Sequence, residues 1–378
     1  MKIGIVCYPT FGGSGVVATE LGKALAHQGH IVHFIAYNQP ARLDLFDQNI
    51  FYHEVSISSY PLFDYPPYEL ALASKMVDVT KTEKLDLLHV HYAIPHASAA
   101  YMAKQILLKQ GIYIPFITTL HGTDITLVGR DPSFEPVVTF SINESDGVTA
   151  VSQNLRDSTY SHFKIENDIR VIPNFIDLQR FSRQKKDHFK HAICPNGEKL
   201  IVHTSNFRKV KRVEDVVRVF ALLRHQIKAK LLLVGDGPER MSVEALCRDL
   251  KVNDDIRFLG KLDAVEEVLS LADLFLLPSE TESFGLAALE AMACEVPVIS
   301  SNTGGIPEIN VNGVTGFLSN VGDIGDMAKN ALIVLDEKNH ETFRKNALER
   351  AQQFDLKNIL PLYESYYQEI LDKATVLK

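Results

Sequence analysis

Two glutamates bracket a stretch with the makings of a ligand site. Glu282 and Glu290 open and close the run ESFGLAALE, residues 282–290, which continues into Ala291, Met292 and Ala293. The apolar residues before it, Ala272 to Pro278, read as a buried strand, and those after it as a helix without a breaker. Ser283 is the expected N-cap of that helix. The amides of Phe284, Gly285 and Leu286, with the positive end of the helix dipole, would then form an anion or hydroxyl site. Glu290 lies close to two helical turns past Ser283, which returns it to the same side. Carboxylates accept hydrogen bonds from vicinal hydroxyls, and a helix N-terminus suits a phosphate. A sugar joined to a nucleoside diphosphate offers both groups. Spacing alone is better explained by two solvated acids near a helix start, where acids are favoured anyway; the rest of the chain reverses that preference.

A second stretch supplies the missing charge. Arg208, Lys209, Lys211 and Arg212 precede a helix expected from about Val213. Cations at a helix N-terminus are unfavourable unless an anion is present, although Glu214 and Asp215 offset part of the cost, as in any solvated basic turn. Four cations in a strand-to-helix loop match the needs of a pyrophosphate whose charge no metal carries. Arg208 and Lys211 are the preferred pair, with Lys209 and Arg212 left as surface residues. Glycine-rich turns at 12–15, 235–238 and 304–305 would let backbone approach a ligand or merely turn the chain. The first is not GxGxxG, and no acid follows the second strand at Tyr37, Asn38 or Gln39, so NAD is disfavoured. His89 and His91 share one face of a strand. No third ligand accompanies them at a recognisable spacing, so packed or hydrogen-bonded histidines outweigh a metal pair. His121, in a polar glycine-containing loop at a strand end, reads as functional.

The elements that must position these residues follow from the chain as a whole. At 378 residues it is too long for one ordinary core, and two domains of similar size are expected. A net charge of −8 argues against nucleic acid as a partner. The four cysteines are far apart and form no CxxC, as in a cytoplasmic protein with reduced thiols. Pro9 and the glycine cluster end the first apolar run early, so it reads as a strand and not a signal peptide. No run approaches membrane-spanning length. Strands alternate with helices through both halves, which predicts an α/β protein with two doubly wound domains and a cleft between them. The first domain is expected over 1–175 and the second over 176–355, with residues 170–177 as the crossing and 180–197 as surface. A final helix over about 356–378, kinked or restarted at Pro361, has a broad apolar side. Ser14, Tyr92, Thr119, His121 and Ser152 all fall at carboxyl ends of strands and are expected to converge.

These motifs together resemble a family. Residues 282–290 resemble the E-x7-E motif of retaining glycosyltransferases of family four, and Arg208 and Lys211 resemble its basic pair for the donor diphosphate. Residues 12–15, 235–239 and 304–308 resemble further family segments. A narrower set, CYPTFGGSG at 7–15, YPPY at 65–68, HVHYAIPHA at 89–97, TTLHGTDIT at 118–126 and SNFRKVKR at 205–212, resembles the members that move N-acetylglucosamine from UDP-N-acetylglucosamine to L-malate in bacillithiol biosynthesis. The resemblance covers nearly the whole chain; residues 105–115 and 180–199 depart from the pattern, which bears on oligomer contacts more than on chemistry.

The resemblance implies a GT-B fold, two Rossmann-like domains facing across a cleft, with the last helix crossing back to the first domain. It implies a cytoplasmic enzyme without cofactor, metal or membrane, acting with retention at the anomeric carbon. On it, Glu290 takes the ribose hydroxyls, Arg208 and Lys211 the diphosphate, and Glu282 with the amides of Phe284, Gly285 and Leu286 the sugar hydroxyls. Gly13 and Ser14 close on the diphosphate and His121 touches the sugar. Tyr92 and Thr119, with Ser14 and Arg208, hold the malate carboxylates. Glu282, Lys211, Arg208 and His121 form the expected catalytic set. A same-face attack, in which the departing phosphate oxygen takes the malate proton, needs no side chain as general base. Two alternatives remain: a family-four transferase with a lipid or polysaccharide acceptor, and a UDP-sugar epimerase. Oligomeric state, a homo-oligomer included, is left open.

Overall fold

Parallel strands buried on both faces need no polar alternation, and the apolar runs of this chain become two such sheets. The computed structural model describes residues 1–10, 12–44, 46–57, 65–184 and 187–376. Phe11 of the glycine motif, residues 185–186 of the charged stretch and the last two residues of the final segment lie outside the described residues. The chain divides into two units, residues 1–174 together with the chain from Lys357 onward, and residues 175–356.

In the first unit the strands are β1 (Lys2–Val6), β2 (Ile31–Ala36), β3 (Ile50–Glu54), β4 (Leu87–His91), β5 (Phe116–Leu120), β6 (Gly147–Ala150) and β7 (Ile169–Val171). They lie in the order β3-β2-β1-β4-β5-β6-β7, all parallel. The winding reverses between β1 and β4. Leu72, Met76 and Val79 of the helix Tyr68–Glu83 pack with Ile35, Leu88 and Val90 in the core of this unit.

The helix Leu356–Val376 completes the first unit. The Val148 amide donates to the Tyr366 hydroxyl at 2.9 Å, Arg170 pairs with Glu369 at 2.7 Å, and His30 pairs with Glu364 at 2.9 Å. The Tyr367 hydroxyl reaches His89 Nδ1 at 2.7 Å inside the sheet. The helix runs through Pro361 without a break, so it does not restart there. Tyr363, Tyr366, Tyr367 and Ile370, all buried, hold it on the sheet and offset the one backbone bond that proline removes.

In the second unit the strands are β8 (Lys199–Thr204), β9 (Ala229–Val234), β10 (Ile256–Gly260), β11 (Leu274–Leu277), β12 (Val298–Ser301) and β13 (Gly316–Ser319). Their order is β10-β9-β8-β11-β12-β13, again parallel, with the reversal between β8 and β11. Val216, Phe220, Leu231, Leu276 and Met327 lie in its core. Arg170 and Val171, expected in the crossing, pair instead with β6. Part of the charged segment expected as plain surface is helical, Asp187–Ile193. No helix among the described residues is long and apolar enough to cross a membrane.

Replacing Tyr367 with Phe leaves the Nδ1 of a fully buried histidine without its partner, a loss of about 1–3 kcal/mol. Urea unfolding should show a lower midpoint at unchanged slope; an unchanged midpoint would remove this contact from the account of how the last helix is held.

Candidate active site

The second unit builds its site at the reversal between β8 and β11. The loop after β8 carries the cations and the loop after β11 the acid. Lys211 Nζ donates to Glu282 Oε1 at 2.6 Å, and the Ser279 hydroxyl donates to the same oxygen at 2.9 Å. The backbone joins the loops as well, since the Glu280 amide donates to the Val210 carbonyl at 2.8 Å. Arg212 turns away to Asp215, 2.6 Å distant in the first turn of the helix Val213–Arg224. Arg208 and Lys209 remain exposed. Of the four cations, two are neutralised locally and two face solvent, so the loop carries charge for an incoming anion.

Both loops are braced by glycines. Gly304 has φ +56, and a Cβ there would stand 1.9 Å from the Glu282 carbonyl oxygen. The Gly305 amide donates to that same carbonyl at 2.9 Å. The glycine turn after β12 thus fits against the backbone that carries Glu282. The turn after β9 does the same for the basic loop, with Gly235 at φ +120 and its would-be Cβ 1.8 Å from the Ser205 carbonyl oxygen. Only a residue without a side chain permits either approach. The sequence marked these turns but left their purpose open.

The helix that follows begins at Leu286, with Gly285 at the N-cap at φ +96 and no side-chain cap. Ser283 is therefore not the cap, because the chain enters the helix through a left-handed residue that Gly285 adopts without strain. Glu290 lies one turn inside the helix and is buried. Its approach to Glu282 cannot rest on two helical turns counted from Ser283, since residues 283–285 are not helical. Phe284 packs edge-on against Phe354, ring centroids 5.7 Å apart, which anchors the loop.

The first unit builds at its own reversal, between β1 and β4. Ser14 lies at the start of the helix Gly13–His27, directly beyond β1, and Tyr92 directly beyond β4. The Tyr92 hydroxyl donates to Ser14 Oγ at 2.6 Å. Tyr92 has φ +92, a conformation that costs a bulky residue of order 1–3 kcal/mol and that clusters at working sites. His121, beyond β5, has its ring 5.3 Å from that of Tyr92, and its Nε2 pairs with His91 Nδ1 at 2.8 Å. Asp124 ties these loops together, accepting from the Ala93 amide at 2.8 Å and the Gly122 amide at 3.1 Å. Sequence reasoning gave Asp124 no role; an acid two residues past a loop glycine was the available signal.

Not every expected residue joins that group. Thr119 is fully buried, with His89 Nε2 at 2.7 Å and Thr149 Oγ1 at 2.6 Å. Its hydroxyl is engaged within the sheet, because it lies on β5 itself and not beyond its end. Ser152 caps the helix Gln153–His162, accepting from the Leu155 amide at 3.1 Å. Gly13 is exposed beside Ser14. His89 and His91 are the packed, hydrogen-bonded histidines expected of them.

Burial holds this cluster neutral. It pushes His89 and His121 down to about 3 and His96 to about 4, and His91 well below the ordinary value, with neighbouring imidazoles adding to the effect for His89, His91 and His121. His121 is therefore a hydrogen-bonding group and not a cation near pH 7. Burial moves Asp124 the other way, up to about 6, against the pull of the amides that it accepts from.

Comparison with known proteins agrees with this layout. Residues 11–180 match the family described as Glycosyltransferase Family 4, and residues 184–352 the family described as Glycosyl transferases group 1. Over 374 residues, 98% of this chain and 97% of the other, it is 50% identical to N-acetyl-alpha-D-glucosaminyl L-malate synthase of Bacillus anthracis. The chain belongs to glycosyltransferase family four. An uncharacterized glycosyltransferase of Methanocaldococcus jannaschii is 29% identical over 337 residues, 83% of this chain and 84% of that one. Among solved structures, sucrose-phosphate synthase from Thermosynechococcus elongatus shares the fold at a TM-score of 0.80 with 23% identity, covering 98% of this chain and 99% of that one. Anabaena HepE, solved with UDP and glucose, does so at 0.80 and 20%, covering 97% and 99%. The fold is GT-B, α/β with two doubly wound units.

Two outcomes follow for this transferase. Gly304→Ala should lower turnover about 100-fold by displacing the Glu282 loop. Gly313→Ala, at φ +75 with nothing within 4 Å of its would-be Cβ, should leave turnover near normal. Equal losses in both would refute the bracing role. Stability should also fall as pH drops from about 6.5 towards 4, because the unfolded chain takes up protons that the buried histidines refuse. Each contributes up to roughly 1 kcal/mol per pH unit. Asp124, raised in the folded state, opposes this between about 4 and 6, one group against these four and the likewise lowered His33 and His203. Melting temperatures across that range test the balance, and a flat profile contradicts it.

Proposed function

We propose that this chain transfers N-acetylglucosamine from UDP-N-acetylglucosamine to the hydroxyl of L-malate, with retention at the anomeric carbon, in the cytoplasm and as a step of bacillithiol biosynthesis. The observation that carries this reading is the 50% identity, over 98% of the chain, to a synthase named for that product. The geometry of the second unit supports the donor half. A diphosphate beside the exposed Arg208 would draw on Lys211 as well. Lys211 has three N–H donors and gives one to Glu282, so it can serve phosphate and glutamate together. Glu282 is then held in place, with its remaining oxygen capacity turned to the sugar hydroxyls. The amides of Phe284, Gly285 and Leu286 would complete that contact, and Glu290 would take the ribose hydroxyls.

Charge builds on the diphosphate as the sugar leaves, so Arg208 and Lys211 act most strongly in the transition state. Two cations make a metal unnecessary for this step. In the first unit Ser14 and Tyr92 would hold the malate, Gly13 and Ser14 would border the diphosphate, and neutral His121 would accept from or donate to the sugar. Thr119 would act from behind, through His89 and the sheet. The leaving phosphate oxygen would take the malate proton, which leaves no side chain to act as base.

The test is incubation with UDP-N-acetylglucosamine, with and without L-malate and without added metal, followed by mass spectrometry. The expected product is N-acetylglucosaminyl-malate, with UDP released only when malate is present. Donor turnover without malate would replace this reading with an epimerase or hydrolase, and silence would move the search to other acceptors. Glu282→Ala, Lys211→Ala and Arg208→Ala should each lower turnover by about 100-fold or more; near-normal turnover in any one withdraws its role.

A further inference from the structure

Away from the loops beyond the strand ends, the edge of the first sheet holds a cluster that the transfer reaction does not use. His33 lies on β2 and His53 on the edge strand β3, their side chains on one face of the sheet. His33 Nδ1 and His53 Nε2 are 2.9 Å apart. Glu83 is the last residue of the helix Tyr68–Glu83, which covers that face. One ring nitrogen from each histidine and a carboxylate oxygen of Glu83 lie within 4.8 Å of one another. His33 is buried, and His53 and Glu83 are half-buried. Phe51 stacks on the His33 ring, centroids 5.0 Å apart at an interplanar angle of 17°, and fixes its plane.

We propose that His33, His53 and Glu83 bind a divalent transition-metal ion, with zinc as the best match.

Three features support this. Two imidazoles and one carboxylate are the donor set of zinc and its neighbours rather than of magnesium or calcium. Two nitrogens on one tetrahedral zinc stand roughly 3.3 Å apart at ordinary bond lengths, a few tenths of an ångström beyond the present separation. A carboxylate oxygen of the half-buried Glu83, within 4.8 Å of both nitrogens, is the third donor. Finally, the ligands are ready in protonation. Burial holds His33 down at about 4 and His53 below its ordinary value, so both rings are neutral near pH 7, as metal ligation requires. The charged neighbours are Lys2, Lys75 and Asp78. Lys2 Nζ donates to the Glu83 carbonyl at 2.9 Å and Lys75 pairs with Asp78 at 3.7 Å, so both cations have other partners. Three protein ligands leave a position for water, and the ion would pin the edge strand β3 to β2 and to the end of the covering helix.

The full-length protein, stripped with chelator and dialysed, is titrated with zinc chloride and bound metal is counted by mass spectrometry. One zinc per chain is expected, with a Kd in the micromolar range or below and a rise in melting temperature. His53→Gln and Glu83→Gln, both at half-buried positions that tolerate a polar amide, should weaken binding about tenfold or more and abolish that rise. His162→Gln, at an exposed histidine elsewhere in the unit, should change neither. Absence of binding up to about 100 µM, or zinc that binds equally to wild type and to both cluster variants, overturns the proposal. The readout is metal content and melting temperature, so it stands apart from the outcome of the transfer assay.

Discussion

A parallel sheet wound outward in both directions has one place where its crossovers part, between the two strands at which the winding turns. Loops leaving the carboxyl ends of those strands diverge and leave a crevice that no helix fills. Each unit of this transferase has one such place, between β1 and β4 and between β8 and β11. The residues with the strongest claim to chemistry all leave from it or from the strand beside it. Ser14 and Tyr92 meet across the first reversal, and Lys211 and Glu282 across the second. Topology decides where the ligand groups can be, and side-chain chemistry decides what they do there.

The legible part of the fold was the part buried on both faces. β1, β2 and β11 stand out because nearly every residue is apolar. β3 escaped notice because only Ile50 of its five residues is buried, so Phe51, Tyr52, His53 and Glu54 show neither a run nor an alternation. β13 is four residues long and opens on glycine. Local rules also misplaced the start of one helix. A serine before an apolar run is a good cap, but the Glu282 loop is shaped by the Gly304–Gly305 turn packed against it, a contact between distant segments that no local pattern carries. The same holds for Thr119. Its position at a strand end was readable, whereas its enclosure by His89 and Thr149 depends on neighbouring strands and on the last helix.

Within the candidate site, residue types were more informative than spacing. The separation of Glu282 and Glu290 suggested a shared helical face for a reason that the structure does not uphold, and the ion pair that Glu282 makes is with a lysine 71 positions earlier. Opposite charges on neighbouring loops find each other once topology has set the loops side by side. The histidine cluster shows the reverse case. Four imidazoles close together would repel if charged, and burial removes the charge, so they pack and hydrogen-bond as neutral rings.

The first unit is discontinuous along the chain, closed by a helix that comes only after the whole of the second unit. A ribosome adding about 5–20 residues per second needs roughly 10–35 s to make the intervening segment. Throughout that time the first sheet exists without Tyr363, Tyr366 and Tyr367, and His89 faces an uncovered surface. The nascent first half is therefore a sheet with one apolar flank open to water, and its completion waits on synthesis of the helix Leu356–Val376. The second unit has all its strands before that moment and is free to fold beforehand. The unit that begins first along the chain is thus the one whose last element is made last.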